Sequence, residues 1–181
     1  MKVLLIHGGP AATHEYLESF DGWLPQEGIE YYYYDQLGSH YSDQPDDPSY
    51  EALLMEHHYV HHVCRLPLEE WPEPVVRGFA HINQPIYASM QGPSELGASG
   101  KLVDWDRSGD LHRIGVPTLV MGAQHDTMDP KHLEWMAAQL PDGRYHHCPS
   151  GSHLALVDDQ ETYFEGLVSF IRDVDASSSA E

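Results

Sequence analysis

A chain of 181 residues is long enough for one domain with a buried core. Nine Lys and Arg against 29 Asp and Glu leave a formal net charge of −20, which argues against nucleic acid and anionic membranes as partners. The two cysteines, Cys64 and Cys148, make neither a disulfide framework nor a zinc knuckle.

The chain opens on a strand-type apolar run over 2–6, too short for a signal-peptide core or a membrane span, so a cytoplasmic location is expected. His7-Gly8-Gly9-Pro10 follows. A glycine pair after a strand lets the backbone approach a ligand and aim its N–H groups at developing negative charge. The same residues would also serve an ordinary strand-to-helix turn. Thr13 to Leu24 reads as a helix with Tyr16, Leu17, Phe20 and Leu24 on one stripe. Gln26-Glu27-Gly28 ends it, 29–34 is a second strand, and 35–47 is a polar loop.

Ser49 to Val63 is helical by period. It pairs His57 with His61 and His58 with His62 at i,i+4, a spacing that can hold zinc. No HExxH is formed, and a solvated helix face is the plainer reading in a chain with 14 histidines. Trp71-Pro72-Glu73-Pro74 reads as a loop and Phe79 to Met90 as a helix.

The next strand, 117–122, is introduced by Pro117 and closed by Gly122. Asp126 follows in a polar loop. A helix starts at Asp129-Pro130 and runs to Leu140, with Leu133, Met136, Ala137 and Leu140 on one face. Pro141-Asp142-Gly143 is a turn, 144–148 a strand, and His153 follows Gly151-Ser152. This series places Asp126 and His153 past the carboxyl ends of adjacent parallel strands, where reactive groups of open α/β sheets collect. Such an acid fixes the imidazole tautomer, and the histidine takes a proton from a nucleophile. Acid before histidine is the order of the last two members of an α/β-hydrolase triad. Cys148 is close to His153 in sequence, but a small buried strand residue is its plainer reading. The stretch 173–181 is a polar tail, expected to fray.

Several separate motifs then point the same way: HGGP at 7–10, YYYYDQLGSHYSDQP at 31–45, GPSEL at 92–96, Trp105 in DWD, VPTL at 116–119, Asp126, and GSH at 151–153. Together they resemble the proline iminopeptidases, α/β-hydrolase prolyl aminopeptidases that cut proline from a peptide N-terminus. The resemblance implies Asp126 and His153 as catalytic residues and Gly9 as an oxyanion-hole donor. It implies Glu95 as the carboxylate that binds the substrate's free α-amine, although a solvated loop acid is an equal reading of that residue. It implies no cofactor and no metal, and a peptide with N-terminal proline as partner.

The chain departs from the family pattern at Ala11 and His40, where glycine is usual, and at Thr127, where an acid is usual after the triad Asp. The largest departure follows Pro48. A strand, then G-x-S-x-G at a sharp turn, then a helix are needed there. The helix at 49–63 comes instead and resembles the later part of the family's helical cap. No G-x-S-x-G occurs anywhere in the sequence, and neither Ser94 nor Ser99 follows a strand.

The expected fold is therefore a truncated α/β-hydrolase: about four parallel strands with flanking helices and a remnant helical cap. Core segments are expected at 1–48 and 101–173, the cap at 49–100, and a frayed tail at 174–181. The expected strand order is 29–34, 2–6, 117–122, 144–148, with 2–6 pairing directly with 117–122 so that no backbone edge is left open. Three functions compete on the sequence: a serine aminopeptidase, a non-catalytic remnant that binds peptide N-termini, and a metal-binding helical module on His57 to His62.

Overall fold

The computed structural model describes residues 2–6, 12–34, 55–92 and 98–178. In chain order the elements are β1 (Lys2–Ile6), 3₁₀ helices Glu15–Gly22 and Leu24–Glu27, and β2 (Glu30–Tyr34). A π-helical turn Met55–Tyr59 leads into α1 (Val60–His62), followed by a 3₁₀ turn Leu68–Glu70, α2 (Glu73–Ala80) and α3 (Gln84–Met90). A 3₁₀ helix Ser108–Arg113 precedes β3 (Thr118–Ala123), α4 (Pro130–Gln139), β4 (Gly143–Cys148), α5 (Ala155–Asp158) and α6 (Gln160–Ser178). No helix among the described residues is long and apolar enough to cross a membrane. The chain divides into two compact units, Met1–Ala52 with Trp71–Asp106, and Leu53–Glu70 with Arg107–Glu181.

In the first unit β1 pairs with β2 in parallel, from Lys2 against Glu30 to Ile6 against Tyr34. Tyrosine-rich β2 suits a pleated, half-buried surface. Gly28, at φ 68°, closes the preceding 3₁₀ turn in the left-handed conformation and aims the chain into β2. Leu5, Leu17, Phe20, Leu24, Ile29, Trp71 and Val75 are buried. Glu15 is buried as well, only 5% exposed. Its carboxylate accepts from the Thr13 hydroxyl at 2.6 Å, from His81 Nδ1 at 2.8 Å and from the Arg77 guanidinium. Burial, the largest single influence, pushes the Glu15 pKa up, yet these three donors together hold it below the usual carboxylate value.

In the second unit β3 pairs with β4 in parallel, from Thr118 against Gly143 to Ala123 against Cys148. Helix α4 crosses between them, capped by Asp129, whose side chain accepts from the Lys131 amide at 2.9 Å. Ala137 and Leu140 are buried on the face read from the sequence, with Leu133 and Met136 half-buried. The return into β4 is tight: a Cβ on Gly143 would lie 2.1 Å from the Ala137 carbonyl oxygen. Ala123, Cys148 and Ala155 form a buried cluster with Tyr163 packed against it, and Phe164 and Val168 of α6 are buried too. Helix α6 runs to Ser178, through most of the stretch expected to be frayed.

Several expectations are corrected. The four strands and their parallel sense hold as two ladders, β1 with β2 and β3 with β4, and the expected pairing of 2–6 with 117–122 would run between the two compact units. Glu73-Pro74 is not loop but the start of α2, because proline in a first helical turn gives up an N–H that has no partner there anyway. The stretch 79–90 is not one helix. It breaks at His81–Asn83, where the Asn83 side chain accepts from the Ile86 amide at 3.2 Å and caps α3 afresh. The segment 15–22 winds as a 3₁₀ rather than an α-helix.

Candidate active site

β3 ends at Ala123, and the chain carries its hydrogen bonding one step beyond the strand. Gln124 N donates to Cys148 O at 3.0 Å and His125 N to Gly151 O at 3.0 Å. These bonds lay the Asp126 loop alongside the loop that follows β4. Asp126 is well buried, its side chain 8% exposed. One oxygen, Oδ1, accepts from His153 Nδ1 at 2.9 Å, from the Met128 amide at 3.0 Å and from the Thr127 hydroxyl at 3.2 Å. Burial is the largest influence on the carboxyl and pushes its pKa up. The His153 bond, the Met128 N–H and the Thr127 hydroxyl outweigh it, so Asp126 stays below its ordinary value and is ionised at neutral pH.

His153 is held from both sides. Ser152, fully buried, donates its amide to Asp158 Oδ1 at 3.0 Å and its hydroxyl to Asp158 Oδ2. On the other side His153 N donates to His62 O at 3.0 Å and Leu154 N to Val63 O at 2.7 Å. The ring itself is 44% exposed. A carboxylate only accepts, so His153 Nδ1 carries the proton and Nε2 is the basic nitrogen of the neutral ring. That is the arrangement of a general base: buried acid inside, imidazole outside.

A small cavity opens beside the pair, lined by Met121, Gly122, Ala123, Asp126, Cys148, Ser152, His153, Ala155 and Tyr163. Neither Cys148 nor Ser152 in its wall is an activated nucleophile. The Cys148 thiol is fully buried and its pKa is pushed up to about 12, by burial first and then by Asp159 and Asp158. A thiol at that value stays protonated and unreactive at neutral pH. The Ser152 hydroxyl is spent on Asp158.

The structure thus brings together two of the four residues named from the sequence, Asp126 and His153. Gly9 and Glu95 lie outside the described residues, as does Ser94. Ser99 belongs to the first unit, its amide donating to Gln91 O at 2.7 Å. No group of three or more His, Cys, Asp or Glu side chains among the described residues is placed to hold a metal. His62 of the histidine-rich helix donates instead from Nδ1 to the His125 carbonyl at 3.0 Å. Sequence reading missed His62 and Asp158 as neighbours of the site. Nothing local marks either, since both act through residues that fold brings close.

A buried carboxylate and an outward imidazole on adjacent loops of a parallel βαβ unit define the acid–base end of an α/β-hydrolase. The fold agrees: the crystal structure of a proline iminopeptidase from Mycobacterium smegmatis superposes with a TM-score of 0.80 at 19% identity, covering 98% of this chain and 90% of that one. No protein-family model matches the chain. Curated relatives do match. Proline iminopeptidase of Chitinophaga pinensis is 32% identical over 275 aligned positions, 99% of this chain and 92% of the relative. That of Elizabethkingia meningoseptica is 34% identical, over 98% and 92%. The chain belongs to the proline iminopeptidase family. An alignment of 275 positions against 181 residues also means that at least 94 positions of those relatives face no residue here.

Proposed function

We propose that the chain carries the acid–base site of a prolyl aminopeptidase but not its nucleophile, and does not turn over peptide substrate. The carrying observation is the 2.9 Å bond between Asp126 and His153 in a sequence with no G-x-S-x-G. In the complete reaction a serine hydroxyl attacks the carbonyl after the N-terminal proline. His153 Nε2 takes the hydroxyl proton and later gives it to the leaving amine, while Asp126 stabilises the imidazolium between the two steps. Gly9 would contribute one oxyanion donor, and the second is the N–H just after the nucleophile. Without that serine the covalent route is gone, and so is half of the oxyanion hole. What remains is binding and partial charge stabilisation, roughly 10³–10⁴-fold over water in a serine protease stripped of its triad.

A second reading has support in the motif around Glu95. A carboxylate there would pair with the ammonium of an N-terminal proline, so the chain would act as a module that binds peptide N-termini without cutting them. The −20 charge supports a cationic peptide terminus over a nucleic acid or an anionic membrane as partner. Cys64 and Cys148, both free and buried, fit a reducing compartment, and the cytoplasm is the location we assign.

The test is covalent labelling. Purified chain should take no label from a serine-directed fluorophosphonate. Inserting a strand, a G-x-S-x-G elbow and a helix between Pro48 and Tyr50 should create a labelled serine whose reaction is lost with His153→Ala. Labelling of the chain as it stands would overturn the proposal.

A further inference from the structure

The geometry points to His62 as the positioning residue of the Asp126–His153 pair: it holds the loop of the acid with its ring and the loop of the base with its backbone. The His62 Nδ1–H donates to the His125 carbonyl at 3.0 Å, and that carbonyl belongs to the peptide bond leading into Asp126. The His62 carbonyl accepts from the His153 amide at 3.0 Å. One residue therefore touches the main chain on both sides of a side-chain bond 2.9 Å long.

His125 is held on both sides: its N–H donates to Gly151 O, and its C=O, part of the peptide leading into Asp126, accepts from the His62 ring. Asp126 is the next residue, so rotation of that peptide would swing its carboxylate away from His153. The flanking segment is seated by more than His62. Leu154 N donates to Val63 O at 2.7 Å, and the Arg65 amide and guanidinium reach Asp158 Oδ2 at 2.7 Å and Ser150 O at 2.9 Å. Val63 and Cys64 between them are buried, with Cys64 fully so. A seated segment with the His62 ring donor aimed at the acid's loop is a brace.

The donor requirement separates this role from packing. His62 is exposed, so replacing its ring leaves no buried hole. Asn places an amide N–H₂ where the imidazole carries Nδ1–H and restores the bond to the His125 carbonyl. Ala removes it.

This inference rests on Asp126 and His153 being a bonded pair, and the test reads that pair directly. In the full chain labelled with ¹⁵N, the Nδ1–H resonance of His153 is followed by NMR together with its exchange with water. Asp126→Ala should abolish the resonance, and its survival there would overturn the pairing itself. With pairing established, His62→Ala should speed exchange of this proton about fivefold, the effect of one net hydrogen bond. His62→Asn should bring it back to about the original rate, with circular dichroism unchanged in both variants. Exchange in His62→Ala that matches the unsubstituted chain would overturn the positioning role while leaving the pair intact. Should His62→Ala not fold, the unsubstituted chain still decides. The His153 amide sits on an exposed residue and should exchange about tenfold slower than amides of exposed loops. Exchange as fast as theirs would overturn the proposal.

Discussion

Replacing Asp158 with alanine tests how the base is held. Its carboxylate takes the Ser152 amide at 3.0 Å, the Ser152 hydroxyl and the Arg65 amide at 2.7 Å. Water can replace the carboxylate at Arg65, which is exposed, but not at Ser152, which is fully buried. Only the two Ser152 bonds are therefore counted. A hydrogen bond to a charged group contributes about 1.5–3 kcal/mol, and an orphaned buried donor costs a similar amount, so Asp158→Ala should lose about 3 kcal/mol. Against the roughly 5–15 kcal/mol of a whole domain this is a large fraction. With a urea slope of about 1–3 kcal/mol/M it moves the midpoint down by about 1–3 M. The assay is urea unfolding followed by circular dichroism at neutral pH, run as a cycle with Ser152→Ala. In the Asp158→Ala background the serine substitution should cost at least about 1 kcal/mol less than it does alone. A loss below about 0.5 kcal/mol for Asp158→Ala, the level of an ordinary surface change, would refute the reasoning.

Asp126 makes a pH prediction. Its folded pKa is depressed, so the stability it contributes is fully present above the unfolded value of about 3.9 and is lost as pH falls through the folded value. Asp126→Asn should flatten the acid limb of the urea midpoint in that window. Gly166→Ala would put a Cβ 2.5 Å from the His146 ring, which must move and give up its 2.8 Å bond to Thr162 O. Thermal unfolding should show a loss of about 1–3 kcal/mol. Cys64 and Cys148, both buried with pKa values pushed to about 12, should resist a thiol reagent at neutral pH and react only on unfolding. A thiol that reacts fast in the folded chain would contradict their burial.

The β3–α4–β4 unit was legible nearly to the residue, because Pro117, Gly122, Asp129-Pro130 and Gly143 punctuate it and each has a local steric or capping reason. Asp126 and His153 came with it, since a parallel pair sends both following loops to the same edge. The pairing of 2–6 with 117–122 was not legible. An apolar strand states that it is buried, not which neighbour lies along each of its two edges. Nothing in the sequence around Glu15 marks it as buried, and Arg77 and His81, more than 60 residues on, supply the partners that make its burial possible. His62 hid for the same reason: its ring partner is 63 residues away, and the i,i+4 histidine spacing suggested zinc instead.

The most direct measurement is release of free proline from a prolyl amide by the purified chain, beside the same chain with His153→Ala. The result the proposal expects is no release above background from either protein, because a sequence without G-x-S-x-G offers Asp126 and His153 no elbow serine. Release by the unsubstituted chain that disappears with His153→Ala would contradict this, and would mean that a residue outside G-x-S-x-G supplies the attacking oxygen or sulfur.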